Sequence, residues 1–548
     1  MATTLALLLL GMTEQRQRRR QKRIISNPFQ SSIAFWSLLV LLGLALLINF
    51  GSHYLLPPHG QAQNTGDIQH QRIQKDKTGT NQNVLSHLEP RLPYLPIFPA
   101  IEHEGKLIED TLHHNRPTIA GIAAILYRFL NALHDSNLQL AASSKANVTS
   151  IATAYFGLVQ EHLLPLERTY RGRSVFEIRT DDSIYVSIAA FREYLLADTL
   201  QSLYGNARHP DKLFVGVIVN NCFHPTECEG GVKVVGKDRM GKDKLENTHG
   251  VPDENQIATF CQNATFQHYC DSGQVRVLYL HEAEALGPAV ARYYSSRLWG
   301  GETYYVQIDS HLHFATHWDA LYIQDVKLAK NFPKAILSTY PPGFVNFRQN
   351  PPFTPGTRLC KCQMRSAEEY LPRIEMEGKC HENQTRPTQM AFCGAGFFFA
   401  HASILVDVPM DPFLPWMFMG EEIALSIRAW THGWNIYAPR KNLIGHQYRP
   451  VQFGTPHYWD SVKRLFHKPM MVDRATTQIR QRVKYIMGYP DLRVEQQKRF
   501  AGFDVFAELE HYGLGTERSK EDYLKFAEID LEHKTCGPMT WCSEGLIE

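Results

Sequence analysis

The chain has 548 residues, 57 Lys and Arg against 55 Asp and Glu, a formal charge of +2 and 44% hydrophobic residues, with a mean hydropathy of −0.30. These values exclude a disordered polyampholyte, a collagen-like fibre and a multi-span membrane protein. The length fits roughly two to four average domains, or one large α/β catalytic domain with accessory segments.

The near-neutral total hides two differently charged bodies. Residues 1–32 carry Arg16, Arg18, Arg19, Arg20, Lys22 and Arg23 against Glu14 alone, a local charge of +5 that leaves −3 for the rest. Residues 33–50 (IAFWSLLVLLGLALLINF) contain no charge. As a helix they would rise about 27 Å, close to the thickness of a bilayer core. The basic cluster lies before this run and none comparable follows it, so the positive-inside bias predicts a cytosolic tail over 1–32, a single-pass signal anchor over 33–50 and a lumenal remainder. A cleaved signal peptide is the competing reading, with Gly51-Ser52 as a small-residue site. All ten cysteines and three N-x-[ST] sequons (Asn147, Asn263, Asn383) follow the span. Both features suit an oxidising secretory compartment, and a Golgi or ER membrane address is the expectation. Cys360-x-Cys362 lacks the two-residue spacing of a zinc knuckle.

Residues 51–92 are rich in Gln, Asn, Gly, His and Lys and lack apolar periodicity, which predicts a solvated stem. Within 93–173, IAGIAAILYRFLNALH and VTSIATAYFGLVQEHLLPLE repeat apolar residues at three and four, predicting a helical preface. From 174 to 548 the pattern becomes a catalytic α/β body with a C-terminal extension. Strands are expected at 184–191, 213–219, 275–280, 303–308 and 335–339, alternating with helices at 194–203, 288–298 and about 318–328. Such alternation implies a mainly parallel sheet with crossover helices. Residues 227–256 interrupt the rhythm and read as a surface insertion.

Asp309-Ser310-His311 directly follows the apolar strand TYYVQI. Open α/β sheets bind ligands beyond the carboxyl ends of their strands. An Asp and a His two positions apart at that edge can share one divalent ion, Mn²⁺ or Mg²⁺, facing a diphosphate. The plain alternative is a capping Asp beside a surface His. Further along, AGFFFAH reads as a strand, Glu421 and Glu422 open a helix, and His446 follows the apolar run NLI. Two glutamates at a helix start also have a simple dipole or capping explanation. As a third ligand, His446 would complete a set with Asp309 and His311.

The segments IYVSIAAFRE, HPDKLFVGVIVN, EALGPAVARYYSSRLWGGETYYVQIDSHLHF, CGAGFFFAHA, FMGEEIALSIRAWTHGWNIYAP and HYGLGTERSKEDYLKFAEIDLEHKT occur in one order. In these the chain resembles the polypeptide (hydroxyproline-type) α-N-acetylglucosaminyltransferase family and, more distantly, the mucin-type polypeptide N-acetylgalactosaminyltransferases. The resemblance implies a GT-A nucleotide-sugar-binding fold, UDP-GlcNAc as donor, divalent metal dependence and retention of configuration. It implies that Asp309, His311 and His446 hold the metal. Ala189, Ala190, Phe191 and Arg192 would line the uracil and ribose, Arg292 would lie near the donor, and Glu421 and Glu422 would face the sugar and acceptor. The chain departs from the family where Ala190-Phe191-Arg192-Glu193 replaces S-Y/F-R-D, and where Asn220-Asn221 stands in place of a glutamine.

No carboxylate is obviously placed as a covalent nucleophile, and the resemblance implies front-face transfer, here to a hydroxyl of a polypeptide or glycan. A general base at Glu421 would suggest inversion. An inactive lumenal nucleotide-sugar-binding protein and a transferase for another UDP-sugar are the alternatives. A two-metal hydrolase would need a denser Asp/His cluster. The basic tail is explained by topology rather than nucleic acid.

Overall fold

The computed structural model describes residues 103–545, apart from 144–146, 224–227, 229–230, 238–242, 249–250, 379–383, 449–457, 466–468 and 493–502. The expected tail, anchor and stem lie outside the described residues, as do Cys380 and Asn383. Among the described residues no helix is long and apolar enough to cross a membrane.

The strands are β1 (Ile184–Phe191), β2 (Leu213–Asn221), β3 (Gly231–Lys237), β4 (Asp243–Thr248), β5 (Val275–His281), β6 (Tyr304–Ile308), β7 (Leu312–Phe314) and β8 (Ala335–Ser338). They continue with β9 (Lys361–Met364), β10 (Pro372–Glu375), β11 (Thr388–Met390), β12 (Phe397–His401), β13 (Asn435–Ala438) and β14 (Ile444–His446). Eight of them form one sheet in the order β11-β13-β8-β12-β6-β1-β2-β5. β1 runs parallel to both β2 and β6, β2 to β5, and β13 to β8. β12 is antiparallel to both its neighbours, and β11 is antiparallel to β13. This mixed, mainly parallel sheet fits the GT-A fold.

Alternation along the strands feeds two cores, one on each face. On β1, Ile184, Val186 and Ile188 face one core and Tyr185 faces the other. Sheets with both faces covered need such near-continuous apolar strands. The second face is covered by preface helices Ile119–Ala142 and Val148–Leu158 and by helix Pro288–Arg297, whose buried residues share one cluster. The insertion expected at 227–256 has structure of its own, since β3 and β4 pair antiparallel across a register break at Val234/Gly236.

Polar contacts lock the preface onto the sheet. The Glu284 carboxylate, after β5, lies 3.1 Å from His134 Nδ1 and accepts a hydrogen bond from Asn137 Nδ2 at 3.1 Å. Glu167 accepts from Tyr293 Oη at 2.7 Å and Arg297 Nη1 at 3.1 Å. Both donors lie on helix Pro288–Arg297, so this buried cluster fixes the helix that also carries Arg292. Leaving any of these groups unpaired in the interior would cost about 1–3 kcal/mol.

Among the described residues, four disulfides join Cys222 to Cys228, Cys261 to Cys270, Cys360 to Cys542 and Cys362 to Cys536. The spacing that failed as a zinc knuckle has a different use. Cys360 and Cys362, at β9, each take one cysteine of the C-terminal segment and tie it down. Cys393 is a buried free thiol. Peptide mapping without reductant should therefore recover these four crosslinks and leave Cys393 unmodified until the protein unfolds. A Cys360–Cys362 linkage in the map would contradict the arrangement.

Candidate active site

β6 ends at Ile308, and Asp309-Ser310-His311 turns the chain into β7. β7 then pairs with β14 so that Leu312 lies opposite His446. The His446 N–H donates to Pro342 O at 2.9 Å and the Gln447 N–H to His311 O at 3.1 Å, so backbone bonds on both sides hold the distal histidine in register. Asp309, His311 and His446 each bring one ligand-capable atom within 4.8 Å of the others. Two metal–ligand bonds of about 2.1 Å, opposed, span about 4.2 Å, so small inward shifts let one ion bridge the set. One carboxylate and two imidazoles form a mixed donor set that a single divalent ion can share. His446 Nε2 lies 3.1 Å from Asp309 Oδ2. Its Nδ1 is buried with no hydrogen-bond partner among the described residues.

The Asp309 carboxylate lies over Gly396. A Cβ built on residue 396 would approach Asp309 Oδ2 to 2.8 Å, closer than real side chains tolerate. A Cβ on Gly394 would likewise come within 2.8 Å of the Tyr340 ring. The C-G-A-G run before β12 is thus a packing device between two polar groups. Ala395, between the glycines, donates its N–H to Glu422 Oε1 at 2.8 Å.

Arg292 is buried and bridges the two halves of the site. Its Nη2 donates to Asp309 Oδ1 at 3.2 Å and its Nη1 to Glu421 Oε1. Burial alone would push the Asp309 carboxyl upward, but the His446 hydrogen bond and the Arg292 charge outweigh this and hold it well below the usual carboxylate range. Glu421 and Glu422 open the helix Glu421–Thr431 after Gly420, which has φ 108°. Neither acts as a cap. Glu421 turns to Arg292, and Glu422 accepts the Tyr340 hydroxyl at 2.7 Å. Burial pushes Glu422 up to about 7.

At the carboxyl end of β1, Ala190 is buried and Ala189 and Phe191 are partly exposed. Arg192, expected to line the uracil and ribose, is turned to Asp253. Its side chain is 1% exposed and makes a two-pronged pair with Asp253, Nε to Oδ2 at 2.8 Å and Nη2 to Oδ1 at 3.0 Å. Asp253 Oδ2 also accepts the Cys222 N–H at 2.7 Å. The guanidinium therefore fastens the segment after the hairpin to the ends of β1 and β2.

Sequence reasoning missed Glu193, Tyr340, Gly394 and Gly396. Glu193 Oε2 lies 2.8 Å from His311 Nδ1. Its only signal was an acidic residue at the end of the first strand, where the family pattern has Asp. The glycines lay in plain view in C-G-A-G, but nothing local says which side chain needs their space.

The Glycosyltransferase (GlcNAc) family model matches residues 183–533. The chain belongs to this family and is a glycosyltransferase. No curated protein matches it. Solved structures with a likeness include GalNAc-T7 with UDP, GalNAc and Mn²⁺, at 12% identity and TM-score 0.37, covering 63% of this chain and 56% of that one. Another is S. aureus TarS 1–349 in complex with UDP-GlcNAc, at 10% identity and TM-score 0.27, covering 58% of this chain and 78% of that one. The chain thus spans little more than half of the first structure's length, and both likenesses are remote.

Two outcomes follow from the packing. Gly396→Ala should displace the Asp309 carboxylate and lower glycosyl transfer on the order of 100-fold, while circular-dichroism melting moves by only a few degrees. Glu422, raised from 4.5 to about 7, binds its proton more tightly in the folded state than in the unfolded chain. Its stabilising contribution is full below about 4.5 and is lost as pH rises to about 7. The displacement corresponds to roughly 3 kcal/mol. Glu422→Gln should therefore flatten the fall in stability across that window, as read by denaturant unfolding at several pH values.

Proposed function

We propose that the protein moves N-acetylglucosamine from UDP-GlcNAc to a hydroxyl of a polypeptide or glycan acceptor, with retention of configuration. The observation that carries this reading is the Asp309–His311–His446 cluster at the carboxyl end of β6, bonded through Asp309 to buried Arg292. The GlcNAc family description and the motifs quoted above support the choice of donor sugar.

When bound on these three side chains, Mn²⁺ or Mg²⁺ would stabilise the departing diphosphate as a Lewis acid. Arg292 would place a fixed positive charge beside the same point, its guanidinium held between Asp309 and Glu421. Such preorganised charge costs little reorganisation as the leaving group develops its own. Glu421, engaged by Arg292, would orient rather than accept a proton. Glu422 and Tyr340 form a hydrogen-bonded pair one residue further on, suited to orienting an acceptor hydroxyl. The strand-end positions 189–192 would bound the nucleoside.

The same reading places residues 1–32 in the cytosol, an anchor at 33–50, a stem over 51–92, a helical preface over 93–173 and the catalytic body over 174–548 in the Golgi or ER lumen. The disulfides of the body favour such an oxidising address.

The purified protein should release UDP from UDP-GlcNAc in the presence of Mn²⁺, faster than from UDP-glucose, UDP-galactose or UDP-GalNAc. Chelation should stop the reaction, and Asp309→Asn should slow it by roughly 100-fold or more. Unchanged turnover in that variant would overturn the metal assignment. Binding of UDP without any release would point instead to an inactive nucleotide-sugar-binding protein.

A further inference from the structure

We infer that Glu193 is a positioning residue that selects which nitrogen of His311 faces the metal and so sets how tightly the site holds its ion. This rests on reading Asp309, His311 and His446 as ligands, and extends it to the side chain behind one of them.

A neutral imidazole has one N–H and one lone pair, and only the lone-pair nitrogen can bind a cation. Glu193 Oε2 lies 2.8 Å from His311 Nδ1. The same oxygen accepts the Ser310 hydroxyl at 3.2 Å, and Oε1 accepts the Leu195 N–H at 3.0 Å. A carboxylate surrounded by donors is an acceptor toward the ring as well, which puts the proton on Nδ1 and the lone pair on Nε2. A carboxylate behind a ligating histidine also fixes the ring's orientation and makes the ligating nitrogen more basic.

The placement of Glu193 is itself rigid. It is 4% exposed, so water has little access to replace it. It follows Arg192, whose φ of 47° lies in the left-handed region. A non-glycine residue persists there only when its surroundings hold it, and the Asp253 pair supplies that hold. The end of β1 thus turns Glu193 toward the β6–β7 turn, and the Ser310 and His311 contacts join the two. A purely structural bond between these turns would affect stability alone; an orienting bond also changes metal affinity.

The test uses full-length protein and Mn²⁺ as the probe, with free Mn²⁺ followed by electron paramagnetic resonance and metal-free melting followed in parallel. Glu193→Gln should bind Mn²⁺ about 10–100-fold more weakly than the parent while melting close to it. Glu193→Asp keeps the charge but draws it back by one methylene, and should give intermediate affinity; it serves as the second reading if the Gln variant fails to fold. His311→Ala should lose Mn²⁺ binding. Wild-type affinity in both Glu193 variants, with binding lost in His311→Ala, would overturn the role of Glu193 and leave the ligand set standing. Equal Mn²⁺ binding by wild type and His311→Ala would remove the ligand set, and the role of Glu193 with it.

Discussion

A carboxylate held in a crowded, half-buried place is the constraint on which this site depends. Asp309 lies over Gly396, where no side chain fits, and meets Arg292 on one oxygen and His446 on the other. Taking such a charge out of water is costly, and only close cationic or donor partners offset it. The three partners come from separate parts of the chain. Gly396 precedes β12, Arg292 lies on helix Pro288–Arg297, and His446 ends β14. The carboxylate therefore requires that the sheet, its covering helix and the β7–β14 pair all be in register at once.

Much of the remaining architecture serves that register. The preface helices reach helix Pro288–Arg297 through Glu167 and the loop after β5 through His134 and Asn137. Because Tyr293 and Arg297 follow Arg292 on one short helix, fixing them limits where the Arg292 guanidinium can travel. At the far end of the chain, two disulfides draw the C-terminal segment onto β9. Closing loops this long removes more entropy from the unfolded chain than closing short ones does, although two nested bridges share that effect.

Many features of both fold and site were legible in the residues. Apolar runs such as IYVSIAAF and TYYVQI announced buried strands, and they fall at β1 and β6 because a sheet covered on both faces leaves no room for polar alternation. The D-S-H tripeptide stood out because it follows one of these strands. Other features were legible only as letters. Arg192 pairs with Asp253, which comes from a segment that no periodicity tied to β1. Glu421 and Glu422 had a sufficient local explanation as helix-start acids, and only their neighbours show that both turn inward.

What the sequence by itself determined is therefore what depends on near neighbours in the chain. This comprises the charge asymmetry between residues 1–32 and the rest, the alternation of strands and helices, the cysteines and the ordered motifs. Tertiary structure decided what depends on proximity in space. Gly394 and Gly396 become necessary only beside Tyr340 and Asp309, and Cys360 and Cys362 find partners more than 170 residues away. Glu193 reaches His311 across a separation of 118 positions. The physical reason is that hydrogen bonds, ion pairs and excluded volume act over a few ångströms. Local sequence sets backbone preference, but only the folded sheet brings distant side chains within that range.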